Sequence, residues 1–385
     1  MSLAILHIMR SPVGGLFRHV VDLARAQSAL GHRVGIVADA STGGERAGAV
    51  LTALDAELAL GVTRVAMSRD LGFSDWPAGQ HVARRIAESD VDVVHGHGSK
   101  GGAYARLAGG GRLKVYTPHG GSLHYSRKTP VGLVYLTLEG LLAARTDLFL
   151  FESAFGRDAF RAKVCEPRGV VRVVHNGVGP AEFDPVRHED AGTTTDLLFI
   201  GELRHLKGVD VLIDAMARLR DGGRTLTATI VGAGPEAAAF KDQAARLGLA
   251  GSIVFPGALP AREAFARGRL LIVPSRAESL PYVVLEAGAC GLPQIATAVG
   301  GIGEIFGPDA NLLVPAGDPV PLAAAIEARL GDPAEAAAAA ARLRARIGRN
   351  FSIAAMTDGI LAAYADALAA RQPADAAERL TRSGS

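Results

Sequence analysis

The sequence has only two cysteines in 385 residues, Cys165 and Cys290, so no disulfide framework can staple it. They also lack metal-ligand spacing, and a reducing, cytoplasmic setting is the expectation they leave. Long uninterrupted apolar runs are missing as well. The most membrane-like segment, Thr129 to Ala144 (TPVGLVYLTLEGLLAA), is broken by Glu139 and falls short of the roughly 20 residues that span a bilayer, so a buried amphipathic helix is expected there. The opening MSLAILHIM carries no basic residue ahead of its apolar stretch and reads as a first buried strand, not a secretory signal. Strong charge of either sign is absent, the formal net charge being +2. With no dense basic stripe interleaved with aromatics, nucleic acid is not an expected partner. No G-x-S-x-G elbow occurs anywhere, which removes an acyl hydrolase even though Pro118–Gly121 (PHGG) resembles an oxyanion loop.

What is present points to a compact α/β protein: 49% hydrophobic residues, 21% charged and 47 glycines. The length exceeds what one hydrophobic core supports, so two domains are expected. Residues 1–180 carry 21 Lys and Arg against 15 Asp and Glu, and the remainder 20 against 24. A mildly basic first half suits an anionic acceptor or lipid surface, and solvated helix faces explain it equally well.

Short apolar runs alternate with helical patterns along the first half. LAILHIM, RVGIVA, TRVAM, DVVHGH, KVYTPH, DLFLFES and VVRVVHNG are strand candidates, and LFRHVVDLARAQSALG between two of them has helical periodicity. That alternation predicts βαβ units and a parallel sheet. A polar stretch over 181–195 reads as a linker, after which the rhythm restarts with DLLFIG, TATIVG, SIVFPG, LLIVPS, PQIATAV and NLLVPA. Two Rossmann-like domains are expected, 1–180 and 196–350, their parallel sheets facing a central cleft. A last helix over 351–371 is expected to pack back on the first domain, with a polar, frayed tail beyond Gln372. Ligands bind such sheets at their carboxyl edges. His95 and His97 (HGHG) end a strand there, but a metal pair needs a third ligand, which the sequence does not identify.

Two glutamates pose the sharpest question. Glu278 and Glu286 bracket the apolar run SLPYVVL just after the strand LLIVPS, and an unpaired carboxylate costs several kcal/mol to bury. The run is expected to open a helix with Glu286 two turns along. Taken in order, GGLFRHV, TPHGG, HNGV, FIGELRHLKGVD, IVGAGPE, VFPG, PSRAESLPYVVLEAGACGLP and VGGIGE resemble the retaining glycosyltransferases of the B-type two-domain fold (GT-B), in particular their fourth sequence family. The likeness runs from about residue 11 to 318, and the E-x7-E element is its most specific part.

The resemblance implies transfer of a hexose or N-acetylhexosamine from a nucleotide-diphosphate sugar, with retention and without an obligatory metal or other cofactor. It implies that Glu286 accepts hydrogen bonds from the ribose and that Glu278 faces the transferred sugar. The backbone N–H groups of Leu280, Tyr282 and Val283 would meet phosphate or sugar oxygens at a helix start. Arg204 and Lys207 would hold the diphosphate leaving group in place of a metal. By the same resemblance Gly14 and Gly15 touch the diphosphate or the acceptor, and His119 stands beside the donor sugar. UDP-sugars come ahead of GDP-sugars as donors. The acceptor is a glycan or lipid-linked saccharide of bacterial exopolysaccharide, capsule or lipopolysaccharide synthesis, reached at the cytoplasmic face of the inner membrane through peripheral contact.

Gly232, Gly234 and Ala237 fit a dinucleotide-binding G-x-G-x-x-A pattern, but the next strand, SIVFPG, ends without the acidic residue a dehydrogenase needs. They are therefore expected to form a tight turn lining the nucleotide pocket. An epimerase of the same shape and a non-catalytic nucleotide-binding module are the competing readings. Two departures from the family pattern stand out: Ser279, Leu280 and Pro281 replace a Gly-Phe-Gly run, and Gly179 stands where Asp usually follows HNGV.

Overall fold

The computed structural model describes residues 2–70, 72–186 and 194–382, with side chains at 124 and from 372 onward left aside. The chain divides into two compact units, one formed by Met1–Gly177 with Ile353–Ser385 and the other by Val178–Ser352. The expected linker falls partly on 187–193, outside the described residues.

The first unit is built on seven parallel strands: β1 (Ala4–Met9), β2 (Arg33–Asp39), β3 (Val62–Val65), β4 (Val93–His97), β5 (Leu113–Thr117), β6 (Leu148–Phe151) and β7 (Val170–Val173). Their order is β3-β2-β1-β4-β5-β6-β7. Every residue of β1, β4 and β6 is buried, as expected of parallel strands covered by helices on both faces. The C-terminal helix Ile353–Arg382 belongs to this unit. Met356, Ile360, Ala363, Tyr364 and Ala367 recur at helical spacing and join Leu3, Ile5, Val93 and Val115 in one core cluster. Residues 353–371 are long and apolar enough to cross a bilayer, and in this fold that stripe is core. The tail expected to fray after Gln372 instead continues this helix to Arg382, through a stretch rich in Ala, Glu and Arg that favours helix.

The helix Pro130–Ala143 differs from its expectation as a buried amphipathic helix. It buries Glu139 and exposes Val131, Leu133, Val134 and Leu141. The inversion has a cause. Glu139 accepts hydrogen bonds from the Arg106 guanidinium at 2.8 Å, the Tyr116 hydroxyl at 2.8 Å and the Ser122 hydroxyl at 2.9 Å. The guanidinium also stacks 3.7 Å from the centre of the Tyr116 ring. A carboxylate with three donors, one of them a cation, is tolerated inside, whereas either charge alone would not be.

The second unit has five parallel strands, β8 (Thr195–Ile200), β9 (Ala228–Val231), β10 (Ile253–Gly257), β11 (Gly268–Val273) and β12 (Gln294–Ala296), in the order β10-β9-β8-β11-β12. NLLVPA, expected as a further strand, makes only an isolated bridge from Val314 to Thr297, because a 3₁₀ turn occupies Gly307–Leu312 and Pro315 brings no donor. The Ala-rich helix Pro333–Asn350 is capped by Asp332, whose side chain accepts from the Glu335 N–H at 3.0 Å, and its Leu343 and Ile347 pack with Val284 and Leu285.

Candidate functional site

Each sheet runs outward from its first strand and reverses beside its fourth, so each has a switch point where ligands enter α/β sheets. In the second unit this point lies between β8 and β11. The loops leaving their carboxyl ends are Gly201–Gly208 and Pro274–Pro281, which carry the ELRHLKG and AESLP motifs.

These loops are fastened to one another. Lys207 Nζ lies 2.6 Å from Glu278 Oε1, and the Ser275 hydroxyl donates to the same oxygen at 2.6 Å. Arg276 donates through both guanidinium nitrogens to Asp210 at 2.7 and 2.6 Å, and its backbone N–H donates to the Leu206 carbonyl at 2.8 Å. Burial alone would raise the Asp210 carboxyl, but the Arg276 bonds and charge outweigh it and hold the group below its ordinary range. Gly208 adopts a left-handed φ of 71° against the Pro274 carbonyl, where any Cβ would overlap that oxygen. Gly300 of VGGIGE comes as close to the Glu278 carbonyl, and the Gly301 N–H donates to Ser279 at 2.6 Å. Three motifs spread over a hundred residues thus form one rigid rim.

Glu278 itself is 8% exposed, so its pairing with Lys207 answers how this carboxylate is buried. Glu286 lies within the helix Tyr282–Ala289, which Tyr282 and Val283 open one residue after Pro281; Leu280 precedes it in the loop. Arg204 is more open, 40% exposed, with Nε 3.1 Å from Glu202 Oε2. Gly232 and Gly234 are half-buried just beyond the carboxyl end of β9. A Cβ on either would strike the backbone of Gly201 or Leu203, so the pattern serves the packing of the β8 and β9 loops on each other.

The switch point of the first unit lies between β1 and β4. Gly14 and Gly15 are exposed at the start of the helix Gly14–Ala29, Gly14 with a φ of 64° and open space around it. His119 follows β5 with a φ of 51°, a left-handed conformation uncommon for a residue with a side chain. Its Nδ1 lies 2.9 Å from Glu152 Oε2 and its Nε2 3.0 Å from His97 Nδ1.

His119 is one of five clustered histidines. Register places His7 beside His95 on neighbouring strands, and the two-residue period of β4 puts His97 on the same face. The helix Gly14–Ala29 adds His19 and Gln27, eight residues apart and so on one side. Gln27 Oε1 meets His7 Nε2 at 2.8 Å, His7 Nδ1 meets His97 Nε2 at 3.0 Å, and Asn176 Oδ1 meets His19 Nδ1 at 3.0 Å. His95 is held by the Tyr364 hydroxyl at 2.7 Å and the Thr117 hydroxyl at 2.8 Å. Sequence reasoning found His95, His97 and His119 as strand-end residues. It missed His7 and His19, which sit inside apolar patterns, and Glu152, Asn176 and Ser275, whose roles depend on partners distant in the chain. A parity count across β1 and β4 would have found His7.

Burial strips these rings of water and disfavours their charged form. It pushes His7 down to about 4 against the Gln27 hydrogen bond, and His19 down to about 3, with His119 adding to the push. His95 and His97 fall well below the ordinary range, through burial first and neighbouring imidazoles second. Unfolded histidine takes up a proton near 6.5, so between that pH and these depressed values the unfolded chain binds more protons and stability falls as pH falls. At pH 5.5 each such ring is expected to remove about 1.4 kcal/mol. Urea unfolding at pH 7.5 and 5.5 measures it, and a first unit equally stable at both would contradict neutral burial of the cluster.

Comparison with known proteins bears on both units. Residues 13–182 match the family model Glycosyltransferase Family 4, and residues 194–332 match Glycosyl transferases group 1. A D-inositol 3-phosphate glycosyltransferase of Acidothermus cellulolyticus is 35% identical over 237 residues, 54% of this chain and 51% of that protein. The chain thus spans about half the length of several curated relatives that it matches. The D-inositol 3-phosphate glycosyltransferase 1 of Catenulispora acidiphila is 30% identical over 310 residues, covering 73% of this chain and 74% of its own. Among solved structures, Anabaena Alr3699/HepE in complex with UDP and glucose aligns with a TM-score of 0.78 over 94% of this chain and 100% of that one, at 22% identity, a likeness of fold.

Proposed function

The chain belongs to the group 1 glycosyltransferases, and we propose that it moves a hexose or N-acetylhexosamine from a nucleotide-diphosphate sugar to an acceptor hydroxyl with retention of configuration. The observation that carries this reading is the Lys207–Glu278 pair at the β8/β11 switch point, set just ahead of a helix start and beside Arg204. A leaving nucleoside diphosphate develops negative charge, which Arg204 and Lys207 are placed to neutralise. In this reading Glu278 does two things. It fixes the Lys207 ammonium, and its second oxygen is left to accept from a sugar hydroxyl. Glu286 takes the ribose, and the Leu280, Tyr282 and Val283 backbone takes phosphate or sugar oxygens. Gly14, Gly15 and His119 contribute from the first unit, His119 at the transferring sugar.

Uridine diphosphate sugars are the first donors to test, ahead of GDP-sugars, in line with the UDP and glucose bound by the Anabaena protein. For the acceptor, a glycan or lipid-linked saccharide of envelope polysaccharide synthesis at the inner face of the cytoplasmic membrane fits best. Its support is an apolar hollow of about 1260 Å³ in the first unit, lined by Trp76, Tyr104, Leu107, Tyr135, Leu138 and Leu141. It suits a lipid tail or peripheral contact with anionic membrane. A nucleotide-release screen across UDP- and GDP-sugars tests the donor. Slow release of UDP from at least one UDP-sugar is the expected result, and no release or binding of any nucleotide sugar would overturn the reading.

A further inference from the structure

The helix Pro130–Ala143 turns an apolar side outward. Val131, Val134, Leu138 and Leu141 recur at intervals of three and four, so they form one stripe along it, and all four are exposed. The opposite side, with Gly132, Leu136, Glu139 and Ala143, is buried. The bonds of the Glu139 carboxylate to Arg106, Tyr116 and Ser122 keep the helix from rolling its stripe into the core. Leu138 and Leu141 also line the apolar hollow of about 1260 Å³, together with buried Tyr104 and exposed Phe73, Trp76 and Leu107. Trp76, the one tryptophan of the chain, is 75% exposed. Exposed leucines scattered singly need no explanation, but a continuous apolar surface of this kind marks a binding face.

We propose that this face seats the chain on an anionic lipid bilayer, with the helix lying in the interface and bilayer lipid tails filling the hollow. Charge selects that occupant. From 127 to 145 the chain carries Arg127 and Lys128 ahead of the helix and Arg145 after it, and its only acid is Glu139, buried against Arg106. Lys128 and Arg145 are exposed and make no ion pair among the described residues. Of the four charged residues lining the hollow, Asp75 pairs with Lys100 at 2.6 Å and Glu139 with Arg106, which leaves Arg145 as the uncompensated charge. The face is thus apolar in the middle and positive at both ends of the helix, as suits an interfacial helix on anionic lipid. Trp76 and Tyr135 are the ring types that settle at headgroup level. Shape favours the same occupant, because fluid acyl chains fill a hollow of any outline, whereas a folded partner has to present a matching projection. Ser99, which also lines the hollow, accepts from the Ser122 N–H at 3.0 Å, so the hollow reaches the loop that follows His119. The proposal deepens the membrane part of the proposed function and rests on it for its purpose, which is to bring that loop to a membrane-borne acceptor.

Co-sedimentation with vesicles tests the face, using the full-length chain without donor or acceptor. Phosphatidylcholine vesicles with about one-third phosphatidylglycerol should bind the chain and shift Trp76 emission to the blue, and pure phosphatidylcholine should bind it at least about tenfold more weakly. Lys128→Gln with Arg145→Gln should weaken binding to the anionic vesicles about 30-fold, since each cation near such a surface is worth roughly a factor of five. Val131→Glu with Val134→Glu should weaken it at least as much, and because both side chains are exposed the urea midpoint should stay where it was. No binding to anionic vesicles, or unchanged binding in the valine variant, would overturn the proposal. Light scattering that shows a dimer, dissolved by the valine variant and indifferent to vesicles, would overturn it too and assign the face to a second copy. Nucleotide release by a chain that ignores vesicles would overturn the membrane face alone. Vesicle binding without release of any nucleotide would support the face and count against the transfer reading.

Discussion

Lys207→Ala is expected to cost the second unit roughly 2–3 kcal/mol and to weaken nucleoside-diphosphate binding about 10- to 100-fold. The two losses have different origins. Stability falls because Glu278, buried at 8% exposure, is left with the Ser275 hydroxyl and no cation. Affinity falls because the ammonium no longer meets the leaving group. Adding Glu278→Gln should recover most of the stability and none of the affinity, since a neutral amide needs no counter-charge. Arg204→Ala is the contrasting case: that side chain is 40% exposed, so stability should hold while diphosphate affinity drops by a similar factor. Glu278→Gln alone should leave the free diphosphate bound and lower turnover, whereas Glu286→Gln should weaken donor and free diphosphate alike. Urea unfolding and calorimetry with UDP separate these outcomes. Full stability in Lys207→Ala would show that the ion pair does not hold the carboxylate in place.

His119→Ala is expected to lower kcat by about 100-fold or more while changing donor affinity little. The ring is held from both sides, by Glu152 at 2.9 Å and His97 at 3.0 Å, on a backbone at φ 51°. Alanine removes the ring and also loses a residue that tolerates the left-handed conformation, so one variant confounds two effects. His119→Asn separates them, because Asn accepts that conformation at small cost. If the ring carries the role, both variants lose turnover; recovery in Asn alone would assign the role to the backbone carbonyl. Pre-steady-state turnover beside equilibrium donor binding makes the distinction.

How far the sequence reveals this protein depends on where a residue's partners lie. Strands β1 to β12 were legible as short apolar runs, continuous in the fully buried β6 and, but for His7, in β1, whereas the strand order, and with it both switch points, came only from the fold. Glu278 stood out because a carboxylate at the edge of SLPYVVL needs an explanation, yet its partner Lys207 is 71 residues away. Spacing alone pairs neither with the other. The Gly232 and Gly234 pattern is legible only in part for a related reason: a glycine marks close approach without saying what approaches, and on the side a Cβ would occupy it is the Gly201–Leu203 backbone. The helix Pro130–Ala143 read as buried because its composition is apolar, and only the Arg106 contact shows that the glutamate faces inward. His7 and His19 were hidden inside a strand and a helix whose patterns needed no polar residue.

Retaining transfer from a nucleotide sugar is tested most directly by following an α-linked donor, such as UDP-glucose or whichever donor the release screen selects, with time-resolved proton NMR. Slow transfer to water should release the nucleoside diphosphate together with free sugar that is first seen as the α anomer, before mutarotation. Sugar appearing first as the β anomer would contradict retention, and an unchanged donor would contradict transfer itself.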